Sequence, residues 1–179
     1  MFFEWFFGLP TQIYMVDSDL LYPNDAKTIK YTGPNPTKIL FKWQSIGKSV
    51  YRIKGADTYE DVFKWDIANP TTIKFFAKWR LKKKLDGRST FFSSVSAQGE
   101  MDKKTKEGWV SITYKGKAIT KIPFTTPFDK ALKHLYFQKF YIRQLRRYAR
   151  TLQTQLNDFD TAVRSLYGLG SAPVEEEAR

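Results

Sequence analysis

The sequence predicts an α+β domain in which a short N-terminal helix and a long C-terminal helix pack on an antiparallel sheet of about five strands. Apolar residues recur at three- and four-residue steps after Pro36, and they alternate with polar residues across much of 59–124. The helical period then returns after Pro127. Because the connections between the strands are short, an antiparallel meander is favoured over a parallel sheet.

The N-terminal helix begins near Pro36, a residue that suits the first helical position, and Asn35 before it can cap the helix. One apolar stripe follows, formed by Ile39, Trp43, Ile46 and Val50. The residues before the helix are rich in Pro, Asp, Asn, Thr and Tyr and show no sustained period. We therefore expect an irregular aromatic and acidic arm over residues 1–35.

The strand predictions rest on a period of two residues. The clearest strand covers 72–82, where apolar side chains fall on one face and basic side chains on the other. Asp86-Gly87 then indicates a hairpin turn. The five predicted strands are 59–66, 72–82, 89–98, 109–114 and 118–124, with Lys115-Gly116-Lys117 separating the last two.

The long C-terminal helix is predicted to begin after Thr126, which can cap it, and to run to Tyr167 before Gly168. About 39 helical residues extend roughly 58 Å, whereas a ten-residue strand spans about 33 Å. The helix should therefore outrun the sheet from about Thr151 onward. That surplus must bend back, receive the N-terminal arm or meet another chain, and we favour the last two.

Charge is unevenly distributed along the chain. The 30 Lys and Arg against 18 Asp and Glu give a net charge of +12 and a pI near 9.7. Residues 1–26 hold four acids and no base, and residues 171–179 hold three acids and one base. Residues 27–170 therefore carry +18. We expect a single basic domain over 36–168 and an acidic tail over 169–179.

Several classes of function lack a signature in this sequence. With no cysteine, disulfides, thiol nucleophiles and iron-sulfur clusters are excluded. The only histidine, His134, has no visible orienting carboxylate, and phosphate-binding and nucleophile motifs are missing. We therefore predict no enzyme activity, metal or cofactor. No apolar run approaches the ~18 residues of a transmembrane helix, and a cytoplasmic location is expected.

Two basic features predict an anion-binding surface. A stripe along the long helix consists of Lys139, Arg143, Arg146, Arg147 and Arg150. A second set, on one strand and its hairpin, consists of Lys78, Arg80, Lys82, Lys83, Lys84 and Arg88. Arginine pairs with phosphate and stacks on bases, and basic strands with aromatics such as Phe76 and Phe92 suit single-stranded nucleic acid. We predict a binding module for RNA, DNA or a nucleic-acid-containing assembly.

Aromatic residues crowd the start of the chain. The five in question are Phe2, Phe3, Trp5, Phe6 and Phe7. They can cover the domain's own core, anchor a partner protein or lie in a membrane interface. Together with the helix end, they make an architectural subunit of a larger assembly an alternative function.

The element order over roughly residues 36–167 resembles the helix-grip arrangement of START and Bet v 1-like proteins, although an irregular arm replaces that fold's opening strand. The resemblance implies an apolar ligand held between sheet and helix, and hence a carrier function as a second alternative. The residues that would line such a pocket are Phe75, Trp79, Phe91 and Tyr136. Residues 31–36 with 63–66 are also similar to small uncharacterised archaeal proteins, which implies a fold and no function.

Overall fold

A computed structural model describes residues 12–170. It contains one six-stranded antiparallel sheet, a helix early in the chain and a long helical segment at the end, so the predicted α+β class is confirmed. The elements are β1 (Gln12–Asp19), β2 (Lys27–Pro34), α1 (Lys38–Tyr51), a 3-10 turn (Gly55–Asp57), β3 (Thr58–Asp66), β4 (Thr72–Lys84), β5 (Ser89–Asp102), β6 (Glu107–Phe124), α2 (Pro127–Tyr136), a π-helical turn (Phe137–Tyr141) and α3 (Ile142–Leu166).

The predicted irregular arm is wrong for residues 12–19 and 27–34, which form two strands of the same sheet. The sheet order is β1-β6-β5-β4-β3, and β2 also pairs with β6. β1 lies on the second half of β6 and β2 on the first half, so the two strands share one edge. β1 has no fully buried residue, and its apolar residues, 13–16, are consecutive. Its sequence therefore carries no alternation to reveal a strand, and the domain extends to at least residue 12.

The predicted break at Lys115-Gly116-Lys117 is also wrong, because β6 runs through it without interruption. From Val110 to Phe124 every second residue of β6 is buried, and Gly116 keeps that phase. The two predicted strands are therefore one strand of 18 residues. With β1 and β2 added, the sheet has six strands rather than five.

Helices α1 and α3 cover one face of the sheet, which we call the helix side. The rings of Trp43 and Trp79 stack 4.9 Å apart, and those of Tyr51 and Phe91 lie 5.3 Å apart. Side chains with the opposite alternation on β4, β5 and β6 are exposed or half-buried. We call this uncovered surface the open face.

The surplus of the long helix lies at its beginning and not, as predicted, after Thr151. The later part of α3 is well covered, with Leu152, Leu156, Phe159 and Val163 buried in the main core. α1 supplies part of this cover, and the Tyr167 hydroxyl donates to the Pro36 carbonyl at 2.7 Å. The helical residues that extend beyond the sheet pack on α1, so the length of the sheet alone does not set how much of the helix is buried. In contrast, α2 has no buried residue.

Candidate nucleic-acid interface

The structure divides the second predicted basic set, the one on β4 and its hairpin, between the two sides of the sheet. Lys78, Arg80, Lys82 and Lys84 are exposed on the open face. Lys83 has the other phase, and its Nζ donates to Gln155 Oε1 of α3 at 3.1 Å. Burial lowers the pKa of Lys83, and repulsion from the nearby charge of Arg52 lowers it further.

Arg88 also lies away from the exposed lysines and arginine of β4. Its guanidinium lies 5.9 Å from the ring centroid of Tyr136 on α2, within cation–π range. Arg88 therefore belongs to the helical end of the molecule and not to the open face.

Two lysines of β6 complete a cluster on the open face. The register aligns Lys82 with Phe92 and Phe92 with Lys117, and it aligns Arg80 with Ser94 and Ser94 with Lys115. Neighbouring strands are about 4.8 Å apart, so the bases of β4 and β6 flank β5 at about 10 Å. We call this arrangement the basic trough; its sides are Lys78, Arg80, Lys82, Lys115 and Lys117, and its floor is Ser94 and Ser96.

Sequence reasoning missed Lys115 and Lys117 as members of a site because it placed them at a turn. The alternation of Val110 to Phe124 around them would have revealed a continuous strand with both lysines on the polar face. Their position opposite β4, however, depends on the pairing of both strands with β5.

Carboxylates neutralise only part of the basic trough. A bulge in β3 between Glu60 and Val62 places Asp61 beside β4, where it accepts from Arg80 Nε at 2.7 Å. Lys117 Nζ lies 3.8 Å from Asp17, but both side chains are more than half exposed, so this pair is weak. Within 12–170, no carboxylate approaches the other three ammonium groups to within 4.0 Å.

Two aromatic rings accompany the basic trough. Phe92 lies between Lys82 and Lys117 in a cross-strand row, and Phe76 lies one outward position before Lys78 on β4. Both phenylalanines are half-buried, which leaves part of each ring accessible. The open face thus combines cations, hydroxyls and aromatic surface.

The arginine stripe lies on the opposite side of the molecule. Its five members are exposed on the outer surface of the helical segment, while Leu145 and Leu152 of α3 are buried beneath them. Because α3 covers the helix side of the sheet, the stripe faces away from the basic trough. The structure therefore does not bring the two predicted basic surfaces into one site.

The four residues proposed to line an apolar pocket do not lie together. Phe75, Trp79 and Phe91 are buried on the helix side, whereas Tyr136 is half exposed on α2. The space between α3 and the sheet is filled, since the rings of Tyr114 and Phe159 lie 5.6 Å apart there. The four residues therefore do not surround one common space, and the carrier function stays a prediction.

The remaining predicted features add no further residues to a candidate site among the described residues. The five aromatics between Phe2 and Phe7 lie outside the described residues. His134 is exposed, and its ring lies near Gln138 and Tyr14. In the described part of the chain, no group of three His, Asp or Glu side chains is placed to hold a metal ion, and no helix is long and apolar enough to cross a membrane.

Comparisons with known proteins identify no family. No protein-family model matches the sequence, and neither does any curated protein. Among solved structures, a delta-endotoxin is similar with a TM-score of 0.31 and 9% identity, over 67% of this chain and 65% of that chain. This chain therefore spans just under two thirds of the endotoxin chain.

Two further solved structures are also distant. A protein of unknown function from Staphylococcus aureus has a TM-score of 0.24 and 6% identity, over 79% of this chain and 98% of that one. An uncharacterised protein from Rhizobium leguminosarum has a TM-score of 0.23 and 6% identity, over 87% and 99%. TM-scores this low establish neither a shared fold nor a shared function.

Proposed function

We propose that this protein is a non-enzymatic binding module that holds a single strand of nucleic acid along the basic trough. One observation carries the proposal: the register of three neighbouring strands sets Arg80 and Lys115 on either side of Ser94, and Lys82 and Lys117 on either side of Phe92. A sheet face with cations and aromatic rings is a common surface for single-stranded nucleic acid.

The dimensions of the basic trough suit an extended polyanion. Outward-facing residues along a strand repeat at about 6.8 Å, so Lys78, Arg80 and Lys82 form a row roughly 14 Å long. Ser94 and Ser96 keep the floor low, and serine hydroxyls can donate to phosphate oxygens. A phosphate chain lying over Ser94 would be within reach of the Arg80 guanidinium on one side and of the Lys115 ammonium group on the other.

Phe92 and Phe76 offer rings on which bases can stack, a contact that the basic side chains of the trough do not provide. Stacking of a base on an aromatic ring contributes about 1–3 kcal/mol and tolerates any sequence. Phe92 lies in the same row as Lys82 and Lys117, so a backbone held by these lysines would place a base near its ring. We therefore expect affinity for single strands with little sequence preference.

The test measures the binding of labelled single-stranded oligonucleotides by fluorescence anisotropy over a range of salt concentrations. One variant carries Lys78→Ala, Lys82→Ala, Lys115→Ala and Lys117→Ala. We expect at least about a tenfold loss of affinity and a salt slope reduced by roughly three, because each lost phosphate contact on a single strand removes about 0.7. Circular dichroism should show an unchanged fold, since all four side chains are exposed.

A matched control removes the same number of charges from the other side of the molecule, with Arg143→Ala, Arg146→Ala, Arg147→Ala and Arg150→Ala. Its loss of affinity should be clearly smaller, because exposed charges beyond the Debye length of about 8 Å are largely screened. Equal losses in the two variants would show that net charge and not the basic trough determines binding. Salt-independent binding, or none, by the unaltered protein would refute the function itself.

A further inference from the structure

The outer side of α2 carries apolar side chains that residues 12–170 leave exposed. They recur at three- and four-residue steps and form one stripe that continues into the π-helical turn, consisting of Phe128, Leu132, Leu135, Tyr136 and Phe140. Phe128 is 78% exposed and Phe140 68% exposed. We call this stripe the apolar patch. An amphipathic helix normally buries such a stripe against its own core, as α3 does.

The apolar patch has the shape of a shallow groove. An open cavity of about 490 Å³ lies between Leu132, Tyr136 and Phe140, with Arg88 and Lys139 at its rim. The Arg88 guanidinium rests over the Tyr136 ring. The groove therefore combines an apolar floor with cations at its border.

Cations dominate the surroundings of the apolar patch. Residues 127–150 contain seven Lys and Arg against one acid, Asp129. That acid is already engaged, since it accepts from Lys133 Nζ at 2.9 Å and from the Thr125 backbone N–H. Arg143 and Arg147 continue along the outer face of the helical segment one and two turns beyond Phe140. The outer face of the helical segment is thus apolar along α2 and basic along the first turns of α3.

We infer that the apolar patch and the arginines next to it dock on the surface of an anionic lipid membrane. Aromatic and leucine side chains partition into the boundary between headgroups and acyl chains, and nearby Lys and Arg pair with lipid phosphates. This arrangement meets both requirements of an interfacial helix at once. A protein partner would need acidic residues around an apolar contact, whereas a bilayer containing anionic lipid presents both features by its composition.

The test is cosedimentation of the full-length, nuclease-treated protein with vesicles of phosphatidylcholine mixed with phosphatidylserine and with vesicles of phosphatidylcholine alone. We expect binding to the anionic vesicles and much weaker binding to the neutral ones. The variant Leu132→Gln/Phe140→Gln should bind the anionic vesicles at least about tenfold more weakly. The reason is that two apolar side chains no longer transfer from water into the membrane interface. Both side chains are exposed, so the fold should be retained.

The matched control is Phe41→Gln on α1, which removes a ring that is 75% exposed at another site. It should bind anionic vesicles like the unaltered protein. Equal losses in both variants, or no binding to phosphatidylserine vesicles by the unaltered protein, would overturn the inference. A dimer that dissociates only in the Leu132→Gln/Phe140→Gln variant would assign the patch to a second copy and also overturn it.

Discussion

At the scale of single residues, Gly116 shows how a position can be misjudged from sequence alone. It lies in the middle of β6 and faces the helix side, where a Cβ atom would be 2.8 Å from Leu156 Cδ1 and 3.3 Å from the Phe91 ring. Leu156 and Phe91 are both fully buried. The missing side chain therefore allows α3 to approach the sheet, and turn formation has no part in it.

We expect Gly116→Ala to lower the free energy of unfolding by about 1–3 kcal/mol, because the added methyl overpacks a filled core. Urea unfolding followed by circular dichroism measures the change. Gly87→Ala is the control: nothing lies within 4 Å of its added Cβ, so its effect should stay within about 0.5 kcal/mol. Equal stabilities of the two variants would show that the helix can move away without loss.

At the scale of elements, Asp86 in the β4–β5 turn joins the hairpin to the helical segment. Its carboxylate accepts from the Tyr141 and Tyr148 hydroxyls and from the backbone N–H groups of Arg88 and Ser89. Burial alone would raise the pKa of Asp86, but these hydrogen bonds together hold it below its ordinary value. Burial and the bond to Asp86 raise the pKa of Tyr141 to about 12, so it stays a donor near neutral pH.

We expect Asp86→Asn to lower the free energy of unfolding by about 1–3 kcal/mol at neutral pH, since the partly buried hydroxyls of Tyr141 and Tyr148 lose a charged acceptor. The folded pKa of Asp86 is depressed, so its contribution is present above the unfolded pKa of about 3.9 and is lost as pH falls through the folded pKa. The difference between the two proteins should therefore shrink below about pH 4.

Chemical denaturation at several pH values measures this difference. Asp158→Asn, on the exposed surface of α3, is the control and should change stability little at any pH. A difference that stays constant down to the lowest pH would show that the charge of Asp86 has no part in the effect.

At the scale of the whole molecule, the two proposed surfaces lie on different parts of the protein. The basic trough occupies the open face, while the apolar patch lies at the start of the helical segment. No trough residue lines the groove of the apolar patch. One molecule therefore has room for a nucleic-acid strand and a membrane surface at the same time.

We expect the two sets of substitutions to act independently. A protein that carries both the trough quadruple variant and Leu132→Gln/Phe140→Gln should lose as much oligonucleotide affinity as the trough variant alone. It should also lose as much vesicle affinity as Leu132→Gln/Phe140→Gln alone, with a coupling free energy below about 0.5 kcal/mol. The oligonucleotide and vesicle assays at physiological salt measure this. A larger coupling, or loss of nucleic-acid binding from the patch substitutions alone, would indicate one shared surface.

Sequence patterns predicted elements best where one face of an element is buried and the other exposed. The alternation of 72–82 predicted β4 and its inward side chains correctly, because β4 is an inner strand with α1 and α3 on one side. Thr126 was predicted as a helix cap, and its side chain accepts from the Asp129 backbone N–H. β1 escaped prediction because its apolar residues, 13–16, are consecutive and do not alternate with polar ones.

The sequence by itself determined the α+β class, the excess of positive charge and the chemical identity of every candidate residue. Only the tertiary structure decided which of those residues meet. Alternation shows that Lys83 and Lys82 face opposite ways, but strand pairing alone sets Lys117 across from Lys82. In the same way, α1 buries the end of α3 and leaves α2 uncovered, because helix burial depends on neighbours that lie far away in the chain.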